Sequence, residues 1–385
     1  MKHQQSGESI ALTIAKYAPP GIGLGYARDK AVFVPATSPG DQVQARVTQE
    51  KKRHMRAEVT AILEPSPQRV EPFCPHYLKC GGCDLMHITY PDQVSLKQRM
   101  AQETLAGQSM IREIPLVPSP EPVAYRHRAQ LKVRHGQVGF FARGTNQVVP
   151  VANCPVLAPP LQQVVQDMAA RPPRDGDYLL LASARQASAA VSFRDHRACE
   201  PVEGFPPMVQ EDYGFGPMLL DSAGFAQANP FVTVLMASHV ASACAGQHVF
   251  EGYCGSGTFS RAIASGAASL EAWEISAPAV KLARRNCRDL ANTRFQAGDA
   301  EKSAIGSDRQ IVVVDPPRTG LGRGMTSRIL ASHAKKLIYI SCNPATMARD
   351  LRFLQENSAF TLTHLEGFDM YPHTTHLEML AMLER

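Results

Sequence analysis

HVFEGYCGSGTFSRAIASGAASLEAWEIS, residues 248–276, decides the fold. An apolar run, 248–254, ends in a glycine turn, Gly255-Ser256-Gly257. A helical stretch, 258–266, follows, and a second apolar run over 270–276 closes the unit with Glu274 near its end. Strand, turn, helix and strand in that order predict a parallel β-pair joined by a crossover helix. The same rhythm continues. RFQAGD (294–299), IVVVDPP (311–317) and KLIYISC (336–342) read as further strands, with helices expected over 277–291, 325–334 and 345–357. The tail HLEMLAMLER is one more apolar strand, expected antiparallel at the end of the sheet. From about residue 213 the chain therefore reads as α/β, with a parallel sheet covered by helices on both faces.

Open sheets of this class bind ligands beyond the carboxyl ends of their strands, and the acidic residues fall there. The glycines let a ligand approach the backbone, and Glu274 is an acceptor for ribose hydroxyls; this pair suits NAD and S-adenosylmethionine equally. Asp299, ending the third strand, is an acceptor for an adenine amino group. Asp315-Pro316-Pro317-Arg318 ends the fourth, its prolines making a rigid exit. The fifth ends in Ser341-Cys342-Asn343-Pro344, where Asn343 is set to cap the next helix with Pro344 at its first position. Cys342 then lies by a positive helix terminus, which predicts a lowered thiol pKa and a nucleophilic thiolate. The plainer reading, an inert buried thiol, is the usual one for a free cysteine. The rival nucleophile Cys254 lies within the glycine turn and is read as packing.

The N-terminal half has a different texture. Residues 1–63 carry about five short alternating strands punctuated by Gly21, Gly23, Gly25 and Ser38-Pro39-Gly40-Asp41, which suits a small barrel of the OB type. Its last hairpin bears Lys51, Lys52, Arg53, His54 and Arg56, either a solvated turn or a phosphate-facing patch. The proline-rich stretch 64–90 holds Cys74, Cys80 and Cys83 around Gly81-Gly82, and a helix is expected from Pro91 to about Ala106. Residues 118–205 read as β-rich, interrupted by prolines. Cys154 is able to complete a set of four thiols, and zinc and a [4Fe–4S] cluster both accept four cysteines.

The 385 residues allow two or three domains. A charge excess of +5 is compatible with a polyanionic partner. No signal-type segment or membrane-length apolar run is read, so the protein is expected in the cytoplasm, where nine cysteines suggest metal or catalysis before disulfides.

With these residues in place, the chain resembles the RNA 5-methyluridine methyltransferases over nearly its whole length. Ser341-Cys342-Asn343-Pro344-Ala345-Thr346 with Arg349-Asp350-Leu351 is similar to that family's nucleophile motif. Asp369-Met370-Tyr371-Pro372 through His376-Leu377-Glu378 is similar to its base motif, and Phe225-Ala226-Gln227-Ala228-Asn229 to the segment preceding its first sheet strand. Many nucleobase methyltransferases carry Asp/Asn-Pro-Pro where Asp315 stands. The resemblance implies a Rossmann-like class I methyltransferase domain (91–117 and 213–385), an N-terminal OB-like TRAM barrel (1–63), and a β-rich central iron–sulfur domain (64–90 and 118–212). It implies S-adenosylmethionine contacts from Gln227, Tyr253, Glu274, Asp315 and, matching less closely, Asp299. Thr258 departs from the asparagine common at its position. Cys74, Cys80, Cys83 and Cys154 match the family's [4Fe–4S] ligands.

The implied reaction is methylation of C5 of a specific uridine in ribosomal or transfer RNA. C5 of uracil is a poor nucleophile until a thiolate adds at C6, and the C5 proton must later leave to a base. Cys342 is the expected nucleophile and Glu378 the expected base. The target base must be turned out of its stack. Arg126, Arg128, Phe140, Phe141 and Arg143 are expected to hold the surrounding RNA, and a monomer is expected. Two alternatives stand beside this reading. One is a methyltransferase of another base such as cytosine C5, whose RNA enzymes usually carry a cysteine where Arg318 stands. The other is a non-catalytic iron–sulfur RNA-binding protein, which has no need of Cys342 and Glu378 together.

Overall fold

The computed structural model describes residues 7–19, 21–106, 113–185, 188–195 and 198–385. Part of the segment 91–117 thus lies outside the described residues. The chain divides into two units: Met1–Met100 with Phe141–Gln147 and Pro372–Thr375, and Ala101–Phe140 with Val148–Tyr371 and His376–Arg385.

The first unit is built on a closed five-stranded barrel. Its opening strand, Ser9–Ala18, alternates strictly at the start, so Ile10, Leu12 and Ile14 point inward and join Val32, Val34, Val43, Ala45 and Met55. Closure leaves no sheet edge to protect.

The second unit holds two larger sheets. A six-stranded sheet includes Arg128–Arg134, Gly176–Ala184 and Ser188–Arg194. The helix Pro159–Ala170 buries Leu161, Val164 and Val165 in the core of this sheet. Its two leading prolines occupy the first helical turn, where a missing N–H costs nothing.

The eight-stranded sheet runs in the order Thr293–Ala297, Ser269–Glu274, His248–Gly252, Ile311–Val314, Lys336–Ser341, Glu378–Glu384, Thr361–Phe368, Leu116–Val117. The first five strands are parallel, and Glu378–Glu384 runs antiparallel to both neighbours. Val313, Ile338 and Ile340 face one buried layer, and Val312, Val314, Leu337 and Tyr339 the other. That two-sided burial explains the unbroken apolar runs in the sequence. The helix Pro230–Cys244, which the sequence reading did not place, packs on the first layer through Val232, Met236, Ala237 and Val240. Strand order reverses between His248–Gly252 and Ile311–Val314, so the ligand crevice of such a sheet opens at their carboxyl ends. Among the described residues no helix is long and apolar enough to cross a membrane.

Candidate active site

The turn after His248–Gly252 is made by backbone that few side chains tolerate. Gly255 and Gly257 have φ of 54° and 88°, and Tyr253, with a full side chain, sits at 64°. A Cβ on Gly252 would lie 2.9 Å from Met325 Cε. Glu274 holds the turn in place, accepting from the Gly255 amide at 3.2 Å and the Ser276 amide at 2.8 Å. Tyr253 donates to Glu301 at 3.5 Å. Thr258 is buried as the first residue of the following helix, and Gln227 is buried in the 225–229 segment. That segment reaches the turn, since Ser256 Oγ donates to the Phe225 carbonyl at 3.4 Å. Asp299 caps the short helix Ala300–Lys302 through the Glu301 amide at 3.0 Å and pairs with Lys302 at 3.6 Å. A tight glycine cradle with a fixed carboxylate at the next strand end fits the nucleoside part of S-adenosylmethionine.

Register brings the two expected catalytic groups together. Ser341 lies opposite Met379 in an antiparallel pair, so Cys342, one step beyond, meets Glu378. Asp315 follows Val314, whose partner across the switch point is Gly252. The Asp315 loop is fastened to the helix Pro344–Asn357. Asn343 Nδ2 and Thr346 Oγ1 donate to the Arg318 carbonyl at 3.1 and 3.3 Å, and Arg349 donates to the Thr319 carbonyl at 2.9 Å. Beneath them, buried Asp350 accepts from the Leu321 amide, Tyr339 Oη and Arg349 Nε, each at 2.8 Å. Arg318 extends over the site to within 3.4 Å of His376 Nδ1. The sequence reading named Arg318 and Asp350 only as members of motifs and assigned neither a contact.

The electrostatics correct one expectation. Asn343 does cap the helix, its side chain accepting from the Ala345 amide, but the Cys342 thiol is pushed up, not down. Burial is the main cause and Glu378 the next. Arg318, by its charge and a hydrogen bond, pulls the other way. Glu378 is itself raised well above the usual carboxylate range, by burial and then by repulsion from Asp315, against the pull of Arg318. Burial lifts Asp315 to about 7. Glu251, at the end of the first strand, is lifted to about 8 by burial despite a 2.5 Å hydrogen bond from Ser260. Burial first, and the neighbouring carboxyls of Glu378 and Asp315 after it, raise the thiol at this helix start. Cys254 is buried and raised well above an ordinary thiol, in line with a packing role.

The four remaining cysteines of interest are half-buried and free of disulfides. Gly82 N donates to Cys80 Sγ at 3.4 Å, and Arg143 fixes the Cys83 carbonyl at 2.7 Å and Asp84 at 2.5 Å. The thiol chemistry suits a cluster. Among the described residues no three of His, Cys, Asp and Glu stand in one group. Two of the residues expected to hold RNA have partners within the chain. Arg128 spends its guanidinium on the carbonyls of Asp221, Ser222 and Gly224, and Phe140 packs on the core of the six-stranded sheet.

Comparison with known proteins bears on this geometry. Residues 306–385 match the family model for tRNA (uracil-5-)-methyltransferase, and residues 10–68 that for the TRAM domain of tRNA (uracil(54)-C(5))-methyltransferase. The 23S rRNA (uracil(1939)-C(5))-methyltransferase RlmD of Vibrio parahaemolyticus is 30% identical, over 100% of this chain and 98% of its own. An uncharacterized RNA methyltransferase of Bdellovibrio bacteriovorus is 32% identical over 98% of this chain and 95% of its own. Among solved structures, the Pyrococcus abyssi tRNA (uracil-54, C5)-methyltransferase in complex with S-adenosyl-L-homocysteine superposes with a TM-score of 0.81 at 22% identity. It covers 97% of this chain and 100% of that one, which establishes the shared fold.

Proposed function

The chain belongs to the RNA uracil-C5 methyltransferases, and from that premise we propose that Cys342 and Glu378 carry out the reaction on a uridine of ribosomal or transfer RNA. The enzyme is S-adenosylmethionine-dependent. Bound in the glycine cradle, the cofactor supplies an electrophilic methyl group. Gln227, Tyr253, Thr258, Glu274 and Asp315 are the residues proposed to hold it, with Asp299 at the margin. Cys342 adds as thiolate to uracil C6, breaking the C5–C6 double bond and making C5 nucleophilic. After C5 is methylated, Glu378 takes the C5 proton, the double bond re-forms and the Cys342 sulfur leaves. Arg318 stabilises the thiolate and holds Glu378 toward its ionised form. The observation that carries this reading is the register that sets Cys342 beside Glu378 at the ligand-binding end of the sheet.

The test is methyl transfer from labelled S-adenosylmethionine to ribosomal and transfer RNA from cells lacking the protein, followed by nucleoside digestion. The expected product is 5-methyluridine, and Cys342→Ala is expected to lower the rate by at least ~10³-fold. Label in 5-methylcytidine would refute the uracil assignment.

We further propose that the 1–63 barrel is a TRAM domain and that Cys74, Cys80, Cys83 and Cys154 are the ligands of a [4Fe–4S] cluster. What supports the cluster is the thiol set, the family resemblance and the amide bonded to Cys80. Protein purified without oxygen is expected to be brown, with iron and acid-labile sulfide in equal amounts. Colourless protein holding zinc instead would reject the cluster.

A further inference from the structure

Five exposed cations, Lys281, Arg284, Arg285, Arg288 and Arg294, lie in the short stretch 281–294. Only one acid, Asp289, shares that stretch; Arg261 bonds it at 2.7 and 2.8 Å and Arg288 also acts on it, which leaves the stretch with a strong excess of positive charge. Arg284, Arg288 and Arg294 line a cleft of about 490 Å³ together with Thr293 and Gln296. Arg284 is steadied there by a 2.6 Å bond to the Phe295 carbonyl, a contact that leaves its charge in place. The cleft sits between the last turn of the helix Ala277–Asn286 and the edge strand Thr293–Ala297. Because that helix returns antiparallel to its strands, its last turn lies toward the end of the sheet opposite Cys342. The occupant is therefore neither the cofactor nor the reacting base.

The three arginines line one cleft, and the planar geometry of a guanidinium matches phosphate oxygens. We propose that this cleft anchors the sugar–phosphate backbone of the substrate RNA at a distance from the methylated uridine. The proposal rests on the reading of the chain as an RNA methyltransferase. An anchor of this kind adds affinity without sequence information and is released by salt.

The experiment measures binding of unmodified ribosomal RNA and transfer RNA, taken from cells lacking the protein, across a KCl series. Wild type is compared with Arg284→Gln/Arg288→Gln/Arg294→Gln and with Arg288→Glu alone, and S-adenosylhomocysteine affinity is followed in parallel. The triple variant is expected to bind RNA roughly tenfold more weakly near ~0.1 M salt, and to lower the slope of log affinity against log salt by about 2. Cofactor affinity is expected to be unchanged. Arg288→Glu, a single exposed change, should move both RNA quantities in the same direction by less. Inorganic phosphate at millimolar concentration should leave RNA binding intact, since one phosphate lacks the spaced charges of a chain; complete displacement by it would overturn the backbone assignment. An unchanged salt slope in the triple variant, while wild type forms 5-methyluridine, overturns the anchor alone. Failure of wild type to bind or methylate any RNA overturns the reading beneath it as well.

Discussion

Gly320 shows how tightly single residues hold the reacting loop. It takes φ of 79°, and a Cβ there would come within 2.4 Å of Asp350 Oδ2. That carboxylate is the anchor of the Leu321 amide and Tyr339, and Arg349 ties Thr319 to the same point. Gly320→Ala is expected to cost about 1–3 kcal/mol in thermal unfolding and to slow methyl transfer without changing S-adenosylhomocysteine affinity. Equal losses in both would place the effect in the whole fold. Local chemistry at this scale was partly legible. The Asn343 cap and the packing role of Cys254 follow from neighbours in sequence. The raised thiol of Cys342 does not, because the burial that mainly raises it, and the Glu378 and Asp315 carboxyls that add to it, come only with the folded sheet. Asp350 was legible only as part of a motif, since nothing around it in the chain marks an acceptor for a loop some thirty positions earlier.

Among elements, legibility followed pattern. The five parallel strands announce themselves as apolar runs because both faces are covered. The glycine turn and its acidic partner Glu274 mark the cofactor end for the same local reason. Two helices gave no such signal. Pro230–Cys244 is apolar around most of its girth, so it lacks the polar stripe that reveals helical period. Pro159–Ala170 opens with two prolines that read as an interruption, although the first turn tolerates them. Neither helix carries a site residue, yet the first presses on the sheet face behind the glycine turn through Val232 and Val240.

At the scale of the whole molecule, the order of strands, which no local pattern encodes, decides which strand ends share the crevice. It also leaves Glu251 buried among apolar layers, where it has a consequence for stability. Its carboxyl is lifted from 4.5 to about 8 by burial, with Asp315 adding and Ser260 opposing. The folded chain therefore keeps a proton that the unfolded chain releases between those values. The stabilisation is complete below the unfolded pKa and is lost as pH rises through the folded one. Glu251→Gln is expected to leave melting near pH ~5 almost unchanged and to raise it by roughly 3–6 °C relative to wild type near pH ~9. A variant that melts lower than wild type at the alkaline end would argue that the fold stabilises the ionised carboxyl, against a raised Glu251. The central claim concerns a covalent bond, and one measurement addresses it most directly. Glu378→Gln, incubated with S-adenosylmethionine and unmodified substrate RNA, is run on a denaturing gel and the RNA-linked peptide is mapped. A stable adduct on the peptide holding Cys342, absent when Cys342→Ala is added, is the expected result. An adduct that survives that second change, or none at all from a Glu378→Gln enzyme that still makes 5-methyluridine, would contradict it.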